Sequence, residues 1–431
     1  MKNYYRDPIR VNMIEKPSLT LSGIAKTLGP GILYAGAAIG ASHLVLSTQA
    51  GANFNYHFIW AVILINIFKY PFFEFSYRYT AATGKSMLDG YRKLGRWAIM
   101  TYFLLSIVTG VVNFAAVTKV TADLATYLLQ IHLSPFATST GLLSLILLML
   151  FVGRYAFLDW FMKVMIGVLA LFTIAAFLFA LSRGTHVEPG FIHPPLWDTA
   201  AIAFLIALMG WMPTPIDCSV WPSLWAVERN KQTSYKPSFR EYHIDFHTGY
   251  IGSAVMALFF LGLGALVMYG TGETFSANGV TFSQQLVSLY TKSIGGWSHS
   301  IIAVIVVITM FSTAITVIDG YPRSLEGSLH QMFPSLKMFG SGLYIFWIIV
   351  LSVSAILIIV FFTRNMGSLL QFATILSFLT APVFALINYK VVTGDLIPAE
   401  SQPKRWLKIL GLGGISFLIL FSLVFLYYVI L

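Results

Sequence analysis

Residues 29–52 read GPGILYAGAAIGASHLVLSTQAGA. The run is apolar and long enough to cross a membrane, since a spanning helix needs about 20 residues. Its middle, Gly40-Ala41-Ser42-His43, is a poor place for a continuous helix. Glycine lowers helix propensity, and a serine hydroxyl competes for backbone hydrogen bonds. The stretch therefore predicts two half-helices with a break between them.

A second run has the same character. Residues 210–223 read GWMPTPIDCSVWPS and carry Pro213, Pro215 and Pro222 inside an apolar segment. Two interrupted spans in a polytopic chain point to a transporter's substrate site. A plainer reading is that Gly and Pro only kink ordinary spans, which membrane helices tolerate.

Composition agrees with a membrane setting. Of 431 residues, 57% are hydrophobic and 10% charged, where a soluble domain carries roughly 25% charged residues. Mean hydropathy is +0.77. The first 20 residues are polar and charged with no small-residue cleavage pattern, so no removable signal peptide is expected. One cysteine, Cys218, excludes an intrachain disulfide and a thiolate metal cluster. The +10 net charge is read as a positive-inside bias, not as a nucleic-acid surface.

Hydropathy places spans near 23–51, 55–82, 97–130, 136–153, 158–182, 198–227, 247–271, 296–320, 342–363, 366–391 and 406–430. Lys2, Arg6, Arg10, Lys16 and Lys26 precede the first span. Lys85, Arg92, Lys93 and Arg96 follow the second, Arg229, Lys231, Lys236 and Arg240 follow the sixth, and Lys390, Lys404 and Arg405 precede the eleventh. An eleven-span count puts all of these on one side, and only Arg183, Lys292 and Arg364 on the other. That asymmetry predicts a cytoplasmic N-terminus and an external C-terminus; the expected location is a plasma membrane, the bacterial inner membrane. The breaks fall in spans one and six, five apart. The expected fold is an all-α integral membrane protein of about eleven transmembrane helices, an inverted five-plus-five (LeuT-like) repeat with helices one and six broken. Its parts are an N-terminal cytoplasmic segment (1–22), repeat one (23–182), repeat two (198–391) and an eleventh helix (406–430).

The motifs resemble the Nramp metal-ion transporters. The GPG and QAGA ends of residues 29–52 resemble the family's first span. Thr83-Gly84-Lys85 with Tyr91-Arg92 resembles the loop after its second, and Arg78 stands at the place of a family arginine. Asp123-Leu124-Ala125 in span three, Gly153, Tyr155 and Asp159 around span five, and Met212-Pro213 in span six continue the resemblance in order along most of the chain.

The departures lie at the centre. The resemblance puts Gly40, Ala41, Ser42 and His43 at the family's Asp-Pro-Gly-Asn, whose Asp and Asn ligate the metal. Thr214 stands at a family histidine after Met-Pro, Ser219 at a second histidine, Thr126 at an acid of span three, and Thr374 at a glutamine of span ten. Of the side-chain ligands that the resemblance implies, Met212 alone is kept.

A site without its carboxylate no longer repels an anion. A broken helix offers free amides with partial positive charge at its new N-terminus, a setting that binds small anions. Gly40, Ala41, Ser42, His43, Met209, Met212, Thr214 and Thr374 are the expected substrate-site residues. A small anion is the expected cargo, with bicarbonate the most economical choice and Na⁺ or H⁺ a candidate coupling ion. The alternative is a proton-coupled divalent metal (manganese, iron or magnesium) held by Asp217, Met212 and His43. A helix-capping Asp217 is the bland reading.

Asp217, Lys69, Lys119 and Asp123 form the expected charge or coupling network. A mid-membrane lysine is expensive. Lys69 is expected either to attract an anion or, more simply, to pair with an acid on another span. Glu74 with Arg78 and Lys119 with Asp123 have the four-residue spacing of intrahelical pairs. Asp123 matches the family aspartate linked to proton movement. Asp319 and Arg323 are expected to latch the end of span eight, and His57, His132 and His193 to sit at span ends. No HExxH, GxSxG or nucleotide-binding loop is present, so neither an enzyme nor an ATP-driven pump is expected. The expected partners are a small inorganic ion and the lipid bilayer, without a cofactor or nucleic acid, and a monomer suffices. A channel is the remaining membrane alternative.

Overall fold

The computed structural model describes residues 23, 26–152, 155–185, 187–339, 342–361 and 365–430. The expectations for residues 1–22, Gly153 and Arg364 lie outside these, as do the side chains of Tyr155 and Asp159. Every regular element among the described residues is helical.

The first span is the bent pair α1 (Pro30–Ala38) and α2 (Ser42–Phe54), set 44° apart. Then follow α3 (Ile59–Thr83), a short α4 (Met87–Leu94), α5 (Arg96–Leu129), α6 (Pro135–Val152) and α7 (Tyr155–Arg183). The sixth span is α8 (Thr199–Trp211) and α9 (Val220–Thr233), joined through a 3₁₀ turn at Ile216–Ser219. The second half continues with α10 (Phe239–Val267), α11 (Gly279–Ile294), α12 (His299–Met332), α13 (Gly342–Phe361), α14 (Met366–Thr393) and α15 (Arg405–Ile430). Among the described residues nine spans are long and apolar enough to cross a membrane, and the bent pair makes ten. The shorter α6 holds the place of the expected fourth span. The architecture is the LeuT-like one, with both breaks where the sequence predicts them.

Two spans run further than hydropathy indicates. α10 begins at Phe239, not near 247, because Ser238 and Glu241 form a capping box that starts a helix in polar sequence. α12 continues past residue 320 to Met332, carrying Pro322 inside it. Hydropathy registers lipid-facing length, and these polar extensions are helical beyond it.

Both halves of the first span lie hard against α10. A Cβ on Gly31 would stand 3.0 Å or less from three atoms of Asp245, and one on Gly249 would meet the Gly31 backbone. At the other end Gly51 meets Leu261 and Ala265, and Gly264 meets Thr48 and Ala52. Small residues let membrane helices approach to backbone contact, where dispersion and packing hold them. Gly51→Ala has no room for even one methyl group. It is expected to reduce the folded, monodisperse fraction several-fold in fluorescence-detected gel filtration, whereas Gly252→Ala, in open space on the facing helix α10, leaves it unchanged.

Candidate functional site

The first break is built by local chemistry. α1 stops at Ala38, the Gly40 amide turns back to the Ala38 carbonyl at 2.8 Å, and the amides of His43 and Leu44 both return to the Gly40 carbonyl at 3.1 and 2.9 Å. α2 then opens with six π-helical residues, Ser42–Ser47, a wider turn that is frequent at functional sites. The Ser42 hydroxyl lies 2.6 Å from the Ala38 carbonyl and 2.7 Å from His43 Nδ1. His43 Nε2 donates to the Ser253 carbonyl of α10 at 2.9 Å. Gly40 is filled in from α12: its Cβ would stand 2.9 Å or less from three atoms of Thr313.

The second break is held by Lys69. α8 ends at Trp211, and Pro213 and Pro215, which have no N–H, prevent the helix from continuing. The Lys69 ammonium, fully buried on α3, donates to the carbonyls of Met209 at 2.9 Å, Gly210 at 2.8 Å and Thr214 at 3.1 Å. The expected partner was an acid on another span. The partners are instead the backbone oxygens that the break itself leaves over.

Between the breaks lies a cavity of about 30 Å³, lined by residues that include Ala41, Ser42, Thr214, Asn113, Cys218, Trp221, Thr313 and Tyr321. That is room for one or two waters. Of the expected substrate-site residues, Ala41, Ser42 and Thr214 line it, whereas Gly40, His43, Met209, Met212 and Thr374 do not. Thr374 returns its hydroxyl to Leu370 and Gln371 of its own helix, as threonines in membrane helices do. His43 has both ring nitrogens engaged, so it offers neither a free donor to an anion nor a free lone pair to a metal.

Asp217 faces a different set of partners from the ones a metal site requires. Its carboxylate accepts from Thr109 Oγ1 at 2.6 Å, from Tyr321 OH at 3.0 Å and from the Cys218 amide at 3.0 Å. The last of these is the amide of the next residue inside the 3₁₀ turn, whose N-cap is Pro215, so the carboxylate caps neither that turn nor α9. Among the described residues no group of three or more His, Cys, Asp or Glu side chains could hold a metal ion. His43 and Asp217 each spend their polar side-chain atoms on other partners, and neither they nor Met212 line the central cavity.

The two intrahelical pairs form as spaced. Lys119 Nζ donates to both carboxylate oxygens of Asp123, to Oδ1 at 2.6 Å. Arg78 Nε donates to Glu74 Oε2 at 3.0 Å, and His243 Nε2 also meets Glu74 at 2.9 Å. Asp319 pairs with Arg323 within α12 and also accepts from Tyr344 OH at 2.7 Å and Trp225 Nε1 at 3.4 Å. It thus ties α12 to α9 and α13, at an end of the bundle where Asp245 accepts the Gly29 and Gly31 amides at 3.0 and 2.7 Å. His57, His132 and His193 are exposed next to helix ends.

The opposite end is open. A vestibule of about 590 Å³ is lined by residues of α2, α8 and α14 and by the loops at 191–198 and 268–277. It shares no lining residue with the small central cavity. A bundle tied at one end, with a wide vestibule at the other and a separate small cavity between the breaks, is an arrangement suited to alternating access.

Sequence reading missed several residues of this site. Thr313, Asn113 and Tyr321 reach the breaks from other spans and carry no local motif, whereas Trp221 lies within the 210–223 run itself. Trp221 is notable because its indole N–H is buried without a hydrogen-bond partner while the ring lines the cavity. Asn113 donates to Tyr321 OH at 2.6 Å and to Ser377 at 3.1 Å.

Residues 31–428 match the family described as natural resistance-associated macrophage protein-like, Nramp. A protein of Pasteurella multocida (strain Pm70), described as uncharacterized, is 37% identical over 401 residues, 92% of this chain and 91% of its own. Among solved structures, a mutant manganese transporter of Eremococcus coleocola superposes with a TM-score of 0.68 at 13% identity, covering 95% of this chain and 87% of that one. MhsT in complex with L-phenylalanine gives 0.61 at 12% identity, covering 95% and 98%. Mhp1, a nucleobase-cation-symport-1 family transporter, gives 0.57 at 16%, covering 95% and 96%. At these identities the structural likeness is one of fold.

Proposed function

The chain belongs to the Nramp family, and from that premise we propose that this secondary transporter works by alternating access and carries a small oxyanion, bicarbonate first, in place of a metal ion. The orientation we propose is N-terminus inside, from the Lys and Arg distribution, and the location a bacterial inner membrane, in keeping with the family.

The observation that carries the reading is the lining of the central cavity. It includes no carboxylate and no histidine, but it does include Trp221, whose N–H has no partner. An indole N–H can only donate, and leaving such a donor buried and unpaired costs about 1–3 kcal/mol. The reading assigns an oxygen of the cargo to complete it. A bare cation would meet the positive end of the same dipole. Ala41 and Ser42 add the first-turn amides of α2, for which a helix has no internal acceptor.

One observation favours the metal reading. The charged residues that line the vestibule, Asp198 and Glu273, are both acidic, which would draw in cations. Both are already engaged: Asp198 caps α8 through the Ala201 amide at 2.8 Å, and Glu273 pairs with Lys292 at 2.7 Å.

Proteoliposomes loaded from one preparation test the two readings side by side. Labelled bicarbonate is expected to accumulate saturably and manganese is not. Trp221→Phe keeps a ring beside Tyr321 and drops only the N–H. It is expected to weaken bicarbonate uptake about tenfold, the equivalent of 1.4 kcal/mol, with normal folded yield. Robust manganese transport without bicarbonate uptake would end the anion reading.

A further inference from the structure

We propose that the ammonium of Lys69 is a tethered cation occupying a carbonyl-built cation site at the sixth-span break, so that the protein needs no bound monovalent cation there. The claim is independent of which cargo is carried.

The geometry is that of a filled coordination cage. An ammonium has three N–H donors, and Lys69 directs them to three backbone oxygens at 2.8, 2.9 and 3.1 Å. No donor is left for a cargo, and Lys69 does not line the central cavity. Two of the oxygens, those of Met209 and Gly210, lie in the last turn of α8 (Thr199–Trp211). The carbonyls of that turn have no intrahelical partner and form the negative pole of the half-helix. The third, that of Thr214, comes from the non-helical link beyond it. In secondary transporters, unwound carbonyls and half-helix C-terminal ends are the groups that coordinate Na⁺ or H⁺.

No ion pair takes the charge: the Asp217 carboxylate acts on it only through space, its own hydrogen bonds going to Thr109, Tyr321 and the Cys218 amide. The ion pairs among the described residues do not include Lys69. A buried ammonium with no carboxylate in hydrogen-bond contact is costly, and the cage offsets most of that cost. The same cage without the lysine would be three buried, under-satisfied oxygens facing an empty channel the width of an alkyl chain, which suits a small free cation such as Na⁺ or methylammonium.

Purified protein is heated at constant ionic strength in N-methyl-D-glucamine, Na⁺, K⁺ or methylammonium chloride. Wild type is expected to unfold at the same midpoint in all four. Lys69→Ala is expected to unfold at a lower midpoint in N-methyl-D-glucamine and to be raised saturably by methylammonium or Na⁺, at concentrations at least tenfold below any that affect wild type. Lys69→Met fills the channel with an uncharged chain and is expected to show no such rescue. Folded Lys69→Ala that responds to none of the cations overturns the proposal, as does a wild type stabilised selectively by Na⁺ or K⁺. If Lys69→Ala yields no folded protein, the wild-type comparison decides. No cargo is needed in this readout, so a failed bicarbonate assay leaves it standing.

Discussion

Asp123→Ala is expected to be among the most damaging single substitutions in the chain, costing about 3–5 kcal/mol, because it strands a buried lysine. The Lys119 and Asp123 side chains are 4% and 5% exposed, and both carboxylate oxygens accept from the same ammonium. Attraction between two buried charges roughly offsets the cost of taking them out of water, so the pair adds little net stability. Removing one partner leaves the full desolvation cost of the other. The double variant Lys119→Met/Asp123→Asn carries no charge and keeps most of the volume, so it is expected to recover most of the folded yield and thermal midpoint. That recovery separates structural neutralisation from a role in moving protons. If Asp123→Ala folds and withstands heat like wild type, the neutralising role is wrong.

The pairs and breaks legible in the sequence share one property: their chemistry is local. Glu74 with Arg78 and Lys119 with Asp123 are set by a four-residue spacing, and the breaks by Gly, Ser and Pro within each run. Lys69 shows where locality fails. Its position and expense are visible, but its partners are carbonyls more than 100 residues away, and a backbone oxygen has no residue type to announce it. His43 fails in the same way, since the acceptor that turns its ring from the cavity is the Ser253 backbone. The Asp245 contact that anchors the start of the first span crosses over 200 residues. The fold, which depends on length, polarity and helix breaking, is therefore readable almost throughout. The site depends on which distant atoms fill the space beside each break, and only part of its lining is readable.

Gly40→Asp tests that dependence most directly, since it restores the acid that the metal-binding pattern would have at this place. It is expected to lower the folded yield sharply and to bind neither manganese nor magnesium. The Cβ alone would stand 2.9 Å or less from three atoms of Thr313. Thr313 is not free to turn away, because its hydroxyl donates to the Gly36 carbonyl at 2.8 Å and the residue is buried. Overpacking of this kind costs typically 1–3 kcal/mol, and a carboxylate placed there without a cation adds a desolvation cost of its own. Gly40→Asp/Thr313→Ala removes the obstruction, so its folded yield is expected to exceed that of Gly40→Asp alone. The checks are gel-filtration yield and the shift of the unfolding midpoint on adding manganese. A Gly40→Asp protein that is as stable as wild type and is stabilised further by manganese would show a site still shaped for a metal. The expected outcome ties residue 40 to residue 313: the space beside Gly40 is taken by another span, so the change of cargo we propose would rest on the packing of α12 against the first break and not on one missing side chain.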